Sequence, residues 1–123
     1  MNNMFSCCSS LIFLDLYNFN TNNVEDMRNM FYICCSLNSL NLFNFNTNNV
    51  KDMNNMLEYC SSLNSLNLSK VNTNKVKNMI DMLDDLDIDC ILISYFSQNL
   101  EFYYITKDLY IPNFFSLKKI KFK

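Results

Sequence analysis

Apolar residues recur along this chain at a fixed step of 26 positions. The Met-x-x-Met segment of residues 1–5 returns at 27–31 and again at 53–57. The same step relates four further columns: Cys8, Cys34, Cys60; Leu14, Leu40, Leu66; Leu16, Leu42, Leu68; and Val24, Val50, Val76. Because apolar type is kept while the intervening residues vary, the pattern predicts like units stacked around one shared core.

Each unit contains two predicted elements, so the expected fold class is α/β. Leu40 and Leu42 alternate with polar residues, which is typical of a short strand with one buried face. Apolar residues at i, i+3, i+4 and i+7 indicate a short helix with one apolar stripe: Met53, Met56, Leu57 and Cys60. Thr47 and Asn49 precede this helix as candidate cap or turn residues.

Residues 1–82 resemble the 26-residue repeat of BspA-like leucine-rich-repeat bacterial surface proteins. Units of that family run approximately L-x-x-L-x-L-x-x-F-x-T-x-x-V-x-x-M-x-x-M-F-x-x-C-x-S. Residues 11–34 match position by position, as do 37–60 with Leu57 in the second Phe place. A third unit replaces the first Phe by Val71 and otherwise keeps these residues: Leu63, Leu66, Leu68, Thr73, Val76, Met79 and Met82.

The resemblance implies a short leucine-rich-repeat-like solenoid of about three units, exposed on the cell surface or secreted, with roles in adhesion or partner binding. Two departures from the family bear on this expectation. Cys7 and Ile33 stand where family units often carry glycine, so the turn there is expected to be tighter or distorted. Phe19 and Phe45 stand where ordinary leucine-rich repeats carry asparagine, so an ordinary asparagine ladder is not expected.

The repeat register breaks after Met82, which divides the chain into a predicted solenoid at 1–82 and a divergent C-terminal cap or tail at 83–123. Residues 83–88 offer the Leu-x-x-Leu-x-Ile spacing six places early, as a shortened unit would. Residues 90–96 and 100–106 flank Ser97-Gln98-Asn99 like a hairpin.

Composition narrows the classes of function. With 123 residues, half of them apolar, the chain fits one folded domain. The net charge of -2 and the absence of a basic stripe argue against nucleic acid as a partner. The longest apolar run, residues 31–35, is far short of the roughly 20 residues that cross a bilayer. No signal-peptide pattern opens at Met1.

Glycine is absent, whereas asparagine occurs 22 times. Turns that need positive φ must therefore fall mainly to Asn or Asp, which tolerate the left-handed region best among the remaining residues. The Asn pairs at 22–23 and 48–49 stand where each unit would have to bend.

Several groups of residues could either bind a ligand or carry out chemistry, or simply serve the packing and the surface of the fold. Cys7, Cys8, Cys34, Cys35 and Cys60 could bind metal or pair as disulfides, but no C-x-x-C and no histidine occurs, and thiols also fill cores. Repeat positions place six Met residues inward, at 4, 27, 30, 53, 56 and 79. An acidic cluster imitates the opening of a calcium loop but lacks its Gly and Glu: Asp81, Asp84, Asp85, Asp87 and Asp89. The terminal lysines at 118, 119, 121 and 123 suit a polar edge or anionic lipid.

The sequence contains no recognisable set of catalytic residues. Without histidine there is no Ser-His or Cys-His pair, and without glycine there is no glycine-rich phosphate loop. No cofactor or metal is expected. The alternatives to a binding module are a thiol-based metal or redox protein and a degenerate repeat fragment.

The predicted binding residues lie on the outer side of the strands. If the leucines point inward, alternate residues point outward and form three short columns, which could meet a protein or a glycan. These residues are Phe13, Asp15, Tyr17, Ser39, Asn41, Phe43, Ser65, Asn67 and Ser69. The sequence therefore predicts a noncatalytic interaction or adhesion module with an unidentified protein or glycan ligand.

Overall fold

A computed structural model describes residues 1–68, 70–86 and 91–92. Three short strands form one parallel sheet in chain order: β1 (Ser39–Asn41), β2 (Ser65–Asn67) and β3 (Ile91–Leu92). Leu40 lies opposite Leu66, so β1 and β2 pair in the register of the repeat. Equivalent residues of consecutive units are therefore neighbours in space.

The core is a single cluster that runs through all the described units. Its members include the predicted inward residues of both elements, such as Leu40, Met53, Leu57, Cys60 and Leu66. Leu14, the equivalent of Leu40 in the first unit, is only partly buried against this cluster. The prediction of a shared apolar interior is therefore confirmed in these residues.

The predicted helix at residues 53–60 is wrong, and the part of the chain that the structure describes contains strands and turns without a helix. In a helix, the main-chain N–H groups of this segment would donate to carbonyls of the same segment. Here, some of them donate to carbonyls of the next unit instead. Asn55 N donates to Ile80 O at 2.9 Å and Leu57 N to Met82 O at 3.0 Å. Alternate donors close tight turns, as Met56 N does with Met53 O at 3.2 Å. The inward apolar stripe survives because these turns bury the same residues.

Two positive φ angles in each such segment prevent helical continuation. Asn55 has φ 53° and Tyr59 φ 60°, and both have equivalents at positive φ in the other units: Asn3, Cys7, Asn29, Ile33, Asp81 and Asp85. Asn and Asp hold five of these eight places, as the lack of glycine predicts. The other three are Cys7, Ile33 and Tyr59, which occupy equivalent places in three consecutive units. The Asn pairs at 22–23 and 48–49 do lie in turns, but not at positive φ.

Thr47 was predicted as a cap or turn residue, and it does begin a turn, since its C=O accepts from Val50 N at 3.0 Å. Its side chain is not a helix cap, because buried threonines form a ladder between units. Thr47 Oγ1 donates to Asn72 O at 3.0 Å and accepts from Asn72 N at 2.6 Å. Thr21 makes the same pair of bonds with Asn46. A hydroxyl that donates and accepts can satisfy both main-chain groups of a buried residue. Threonine thus does here what asparagine does in an ordinary ladder.

The core and the sheet continue past residue 82. Leu83 and Leu86 belong to the same core cluster. β3 places Ile91 opposite Leu66, so this pairing falls one position short of the repeat step. The division between 1–82 and 83–123 stays a prediction. Most of the expected hairpin lies outside the described residues, and Ile91–Leu92 pairs in parallel with β2.

The first unit departs from its neighbours at Met4. Of the six methionines predicted to face inward, five are buried, whereas Met4 is 49% exposed. Its equivalents Met30 and Met56 are covered on both sides by neighbouring units, but no described residue covers the outer side of residues 1–8. The prediction for Met4 is therefore wrong, because burial at this position depends on a preceding layer.

Candidate interaction face

The predicted binding residues that the structure describes lie on the outer side of the sheet and of the segment preceding it. We call these residues the strand face: Phe13, Asp15, Tyr17, Ser39, Asn41, Phe43, Ser65 and Asn67. Ser39 pairs with Ser65 and Asn41 with Asn67 in the parallel register. Ser69 lies outside the described residues. The parallel register brings the strand positions of the second and third units together, whereas Phe13, Asp15 and Tyr17 lie in a segment outside the strands.

Aromatic rings dominate the first two units of the strand face. Phe13 is 69% exposed, Tyr17 74% and Phe43 48%. Tyr17 and Phe43 occupy equivalent places in consecutive units. Asn44 Nδ2 donates to Tyr17 O at 3.5 Å and so links these two places. Large exposed rings on a packed support offer apolar contact area that loses little side-chain freedom on binding.

Local hydrogen bonds fix the backbone beneath the rings. Asp15 Oδ1 accepts from Tyr17 N at 2.8 Å, and Asn41 Oδ1 accepts from Phe43 N at 2.9 Å. Such side-chain acceptors form the tight turns that Asp and Asn favour. The segment from 12 to 17 is not a strand. Its outward residues are held by these turns and by Ile12 O, which accepts from Asn38 N at 3.1 Å.

Sequence reasoning missed two residues beside the strand face. Lys70 places Nζ 5.5 Å from the centroid of the Phe43 ring, within the range of a cation–π interaction. Ile12 is 66% exposed and adds apolar surface next to Phe13. The repeat could have indicated Lys70, because it lies one position after the place that is equivalent to Tyr17 and Phe43. Its charge gives this end of the face an attraction for anionic or π-rich groups.

The five described cysteines differ in burial, and Cys35 is half-buried. Cys34 and Cys60 are buried, and their thiols donate to Phe5 O at 3.2 Å and Phe31 O at 3.1 Å. Burial raises the pKa of Cys34 to about 11 and that of Cys60 to about 12, which keeps both thiols protonated. Cys7 and Cys8 are exposed, and all five described cysteines are free. This geometry favours the packing reading of the buried pair.

Three described members of the acidic cluster, Asp81, Asp84 and Asp85, lie near the buried carboxyl group of Glu58. Glu58 is 8% exposed, and its Oε2 has no hydrogen-bond partner. Burial first, and then the nearby carboxylates of Asp81, Asp84 and Asp85, raise the pKa of Glu58. No three acidic or thiol side chains converge as metal ligands within residues 1–68, 70–86 and 91–92. Asp87 and Asp89 lie outside the described residues.

Within the described ranges, no helix has the length and apolar character to cross a bilayer. No curated protein and no solved structure matches the chain. The sequence model of one family, described as "Mycoplasma protein of unknown function, DUF285", matches residues 1–115. The match spans the repeat units and most of the region after residue 82. The chain therefore belongs to the DUF285 family.

Proposed function

We propose that this protein is a noncatalytic, surface-type interaction or adhesion module, built as a short leucine-rich-repeat-like solenoid that presents the strand face to a protein or glycan ligand. The single observation that carries the proposal is the set of exposed rings of Phe13, Tyr17 and Phe43 on one side of a packed stack. The resemblance to BspA-like surface proteins supports the same reading.

The solenoid part of the proposal rests on the spacing of main-chain contacts. Strand residues pair at the repeat step, as Leu40 does with Leu66. Turn segments bond one position short of that step, as Phe31 N does with Met56 O. Each unit thus contacts its neighbours in sequence, which is how a repeat protein distributes its stability. Such a frame holds side chains at fixed spacing along an extended surface.

The ligand chemistry follows from the composition of the strand face. Phenyl and phenol rings contact the apolar faces of sugars or the side chains of a protein, while Asp15, Asn41 and Ser65 offer polar groups around them. Lys70 beside Phe43 adds one cation. This mixture suits a polar ligand that also carries apolar patches.

The test uses the full chain, fluorescently labelled, on a printed array of glycans and purified extracellular-matrix proteins. We expect saturable binding to at least one component. Replacing the rings together, as Phe13→Ser, Tyr17→Ser and Phe43→Ser, should weaken that binding at least about tenfold, because exposed aromatic anchors carry much of an interface's affinity.

A matched control removes exposed apolar groups away from the strand face, as Tyr59→Ser with Ile80→Ser. This control should bind as the unaltered protein does. Circular dichroism of each variant verifies that it is folded. Saturable binding that survives in the folded triple variant, or an array without any bound component, would contradict the proposal.

A further inference from the structure

The turn segments at 53–60 and 79–86 bring acidic residues of consecutive units together. Glu58 and Asp84 are 26 positions apart, so they occupy equivalent places in these segments. Main-chain bonds on both sides of Glu58 reach the later segment. Leu57 N donates to Met82 O at 3.0 Å. Tyr59 N donates to Asp84 O at 3.4 Å. Glu58 is therefore held next to the segment that carries Asp84.

Three aspartates of the later segment are exposed near this buried carboxyl group: Asp81, Asp84 and Asp85. Their charges act on Glu58 at short range, because they raise its pKa in addition to the larger effect of burial. Like charges held this close disfavour one another when they are ionised. We call Glu58, Asp81, Asp84 and Asp85 the acidic patch, which is built from different segments than the strand face.

Two observations show that the charge of the acidic patch is not balanced within the described residues. Glu58 is only 8% exposed, and its Oε2 accepts no hydrogen bond. A buried acceptor without a partner is rare in folded proteins. The ion pairs of the described lysines and arginine are made by carboxylates elsewhere: Glu25, Asp26 and Asp52. Among the described residues, the patch therefore has neither a donor for Oε2 nor a paired cation.

We propose that the acidic patch binds the guanidinium group of an arginine side chain presented by a partner protein. A metal ion is a poorer fit, because it needs oxygen ligands that converge on one point, and no three acidic side chains of the described residues do so. A guanidinium group is planar, weakly hydrated and carries five N–H donors, so it can bond to several separate carboxylates at once.

The burial of Glu58 also restricts the shape of the ligand. An oxygen this far inside is reached by the tip of a slender side chain rather than by a flat surface. One N–H of the guanidinium donates to Glu58 Oε2, while the others face the exposed carboxylates of Asp81 and Asp84. The only arginine of this chain, Arg28, is bound to Asp26 at 2.7 Å. The guanidinium group therefore comes from another molecule.

This inference goes beyond the proposed function and is tested at its own surface. The probe is the capped peptide Gly-Ser-Arg-Ser-Gly, at up to about 10 mM, a range that detects weak binding. Reference peptides carry citrulline, which keeps the shape without the charge, or lysine, which keeps the charge without the fork of donors. The reporter is the carboxyl carbon-13 NMR signal of Glu58 in the full chain labelled at its glutamates. The signal of Glu25 in the same spectrum is the internal control.

We expect the arginine peptide to shift the Glu58 signal saturably and to leave the Glu25 signal unchanged. Asp84→Asn should weaken binding at least about tenfold, the usual scale for losing a hydrogen bond to a charged group. Glu25→Gln removes the same charge from a distant segment and should bind as the unaltered protein does. The citrulline and lysine peptides should bind more weakly than the arginine peptide. Circular dichroism verifies that each variant is folded.

Four results would overturn the proposal. Equal binding of the arginine peptide and either reference peptide would mean that the patch does not recognise a guanidinium group. Equal losses in Asp84→Asn and Glu25→Gln would indicate general charge attraction only. Displacement of the peptide by calcium chloride at about 1 mM would identify a metal site. The fourth is no binding to the unaltered chain: if changing the four terminal lysines to glutamine restores it, the occupant is this chain's own lysines, and if not, the patch binds no such cation.

Discussion

The side-chain hydroxyl of Thr21 makes two hydrogen bonds to the main chain of Asn46. Thr21 Oγ1 accepts from Asn46 N at 2.8 Å and donates to Asn46 O at 3.2 Å. Thr47 repeats the arrangement with Asn72. Both threonines are buried, and each of them satisfies the N–H and C=O of a partly buried asparagine in the next unit.

Replacing the Thr47 hydroxyl by a methyl group should therefore destabilise the fold. Thr47→Val keeps the shape of the side chain but leaves the N–H and C=O of Asn72 without their partner, at an expected cost of about 1–3 kcal/mol in the free energy of unfolding. Thr47→Ser retains the hydroxyl and should lose less. Urea unfolding of both variants provides the comparison, and equal stabilities would contradict the ladder.

Cys7 has φ 62° although it is not glycine, so this backbone conformation carries a cost. Cys7→Gly should stabilise the protein by about 0.5–1 kcal/mol, the relief of strain outweighing the greater freedom of glycine in the unfolded chain. Cys8 is also exposed but is not at positive φ, so Cys8→Gly should destabilise the protein. Thermal unfolding tests this prediction. A midpoint for Cys7→Gly below that of the unaltered protein would show that the turn is not strained.

Met56 and Met4 occupy the same place in different units but differ in burial. Met56 is 1% exposed, so Met56→Ala should cost about 2–5 kcal/mol through lost contacts and a cavity. Met4 is 49% exposed, and Met4→Ala should cost less than about 1 kcal/mol, as exposed substitutions usually do. Similar losses at the two sites, measured by urea unfolding, would mean that stacking does not determine burial here.

Glu58 should make stability depend on pH. Its pKa is raised by burial and by the carboxylates nearby, so the folded protein holds this proton more tightly than the unfolded chain. Stability should therefore fall as the pH rises from the ordinary pKa value of 4.5 through the raised pKa. Glu58→Gln removes this ionisation. As the pH rises through that window, the free energy of unfolding of the variant should increase relative to that of the unaltered protein, and below the window the two should change in parallel.

Glu25 provides the control of opposite sign. Its hydrogen bond with Lys51, together with the charge of that lysine, lowers the pKa of Glu25. The stabilisation that Glu25 contributes is therefore fully present above pH 4.5 and is lost as the pH falls through the lowered pKa. Glu25→Gln should be slightly less stable than the unaltered protein near neutrality and equal to it in acid. Urea unfolding across the pH series tests both variants, and a Glu58→Gln curve parallel to the unaltered one would refute the buried-carboxyl account.

Periodicity predicted which side chains are buried better than it predicted the backbone. Leu40 and Leu42 alternate with polar residues, and that alternation identified both the strand position and the outward residues of the strand face. The spacing of Met53, Met56 and Leu57 correctly indicated one inward stripe. Two consecutive tight turns bury the same stripe as a helix, however, and the hydrogen-bond partners that distinguish the two structures lie in the following unit, far along the chain.

The special backbone positions were only half visible in the sequence. Missing glycine correctly pointed to Asn and Asp at positive φ, but Tyr59 and Ile33 also adopt it, because the stacked neighbours hold the chain there. The sequence predicted Thr47 as a cap or turn residue, but a local window cannot show that its hydroxyl bonds to Asn72 in the next unit. Repeat position alone predicted burial for Met4 wrongly, since it predicts burial only where a unit has neighbours on both sides.

The central claim is that equivalent residues of consecutive units lie side by side, and an engineered disulfide tests it most directly. Ser39 and Ser65 are register partners in neighbouring strands, which lie about 4.8 Å apart, within the range that a disulfide bridges. Ser39→Cys with Ser65→Cys should crosslink on mild oxidation, as read by mass spectrometry of the joined peptides. Ser39→Cys with Asn67→Cys, two positions out of register, should not. A crosslink in the second pair and none in the first would contradict the stacking of units.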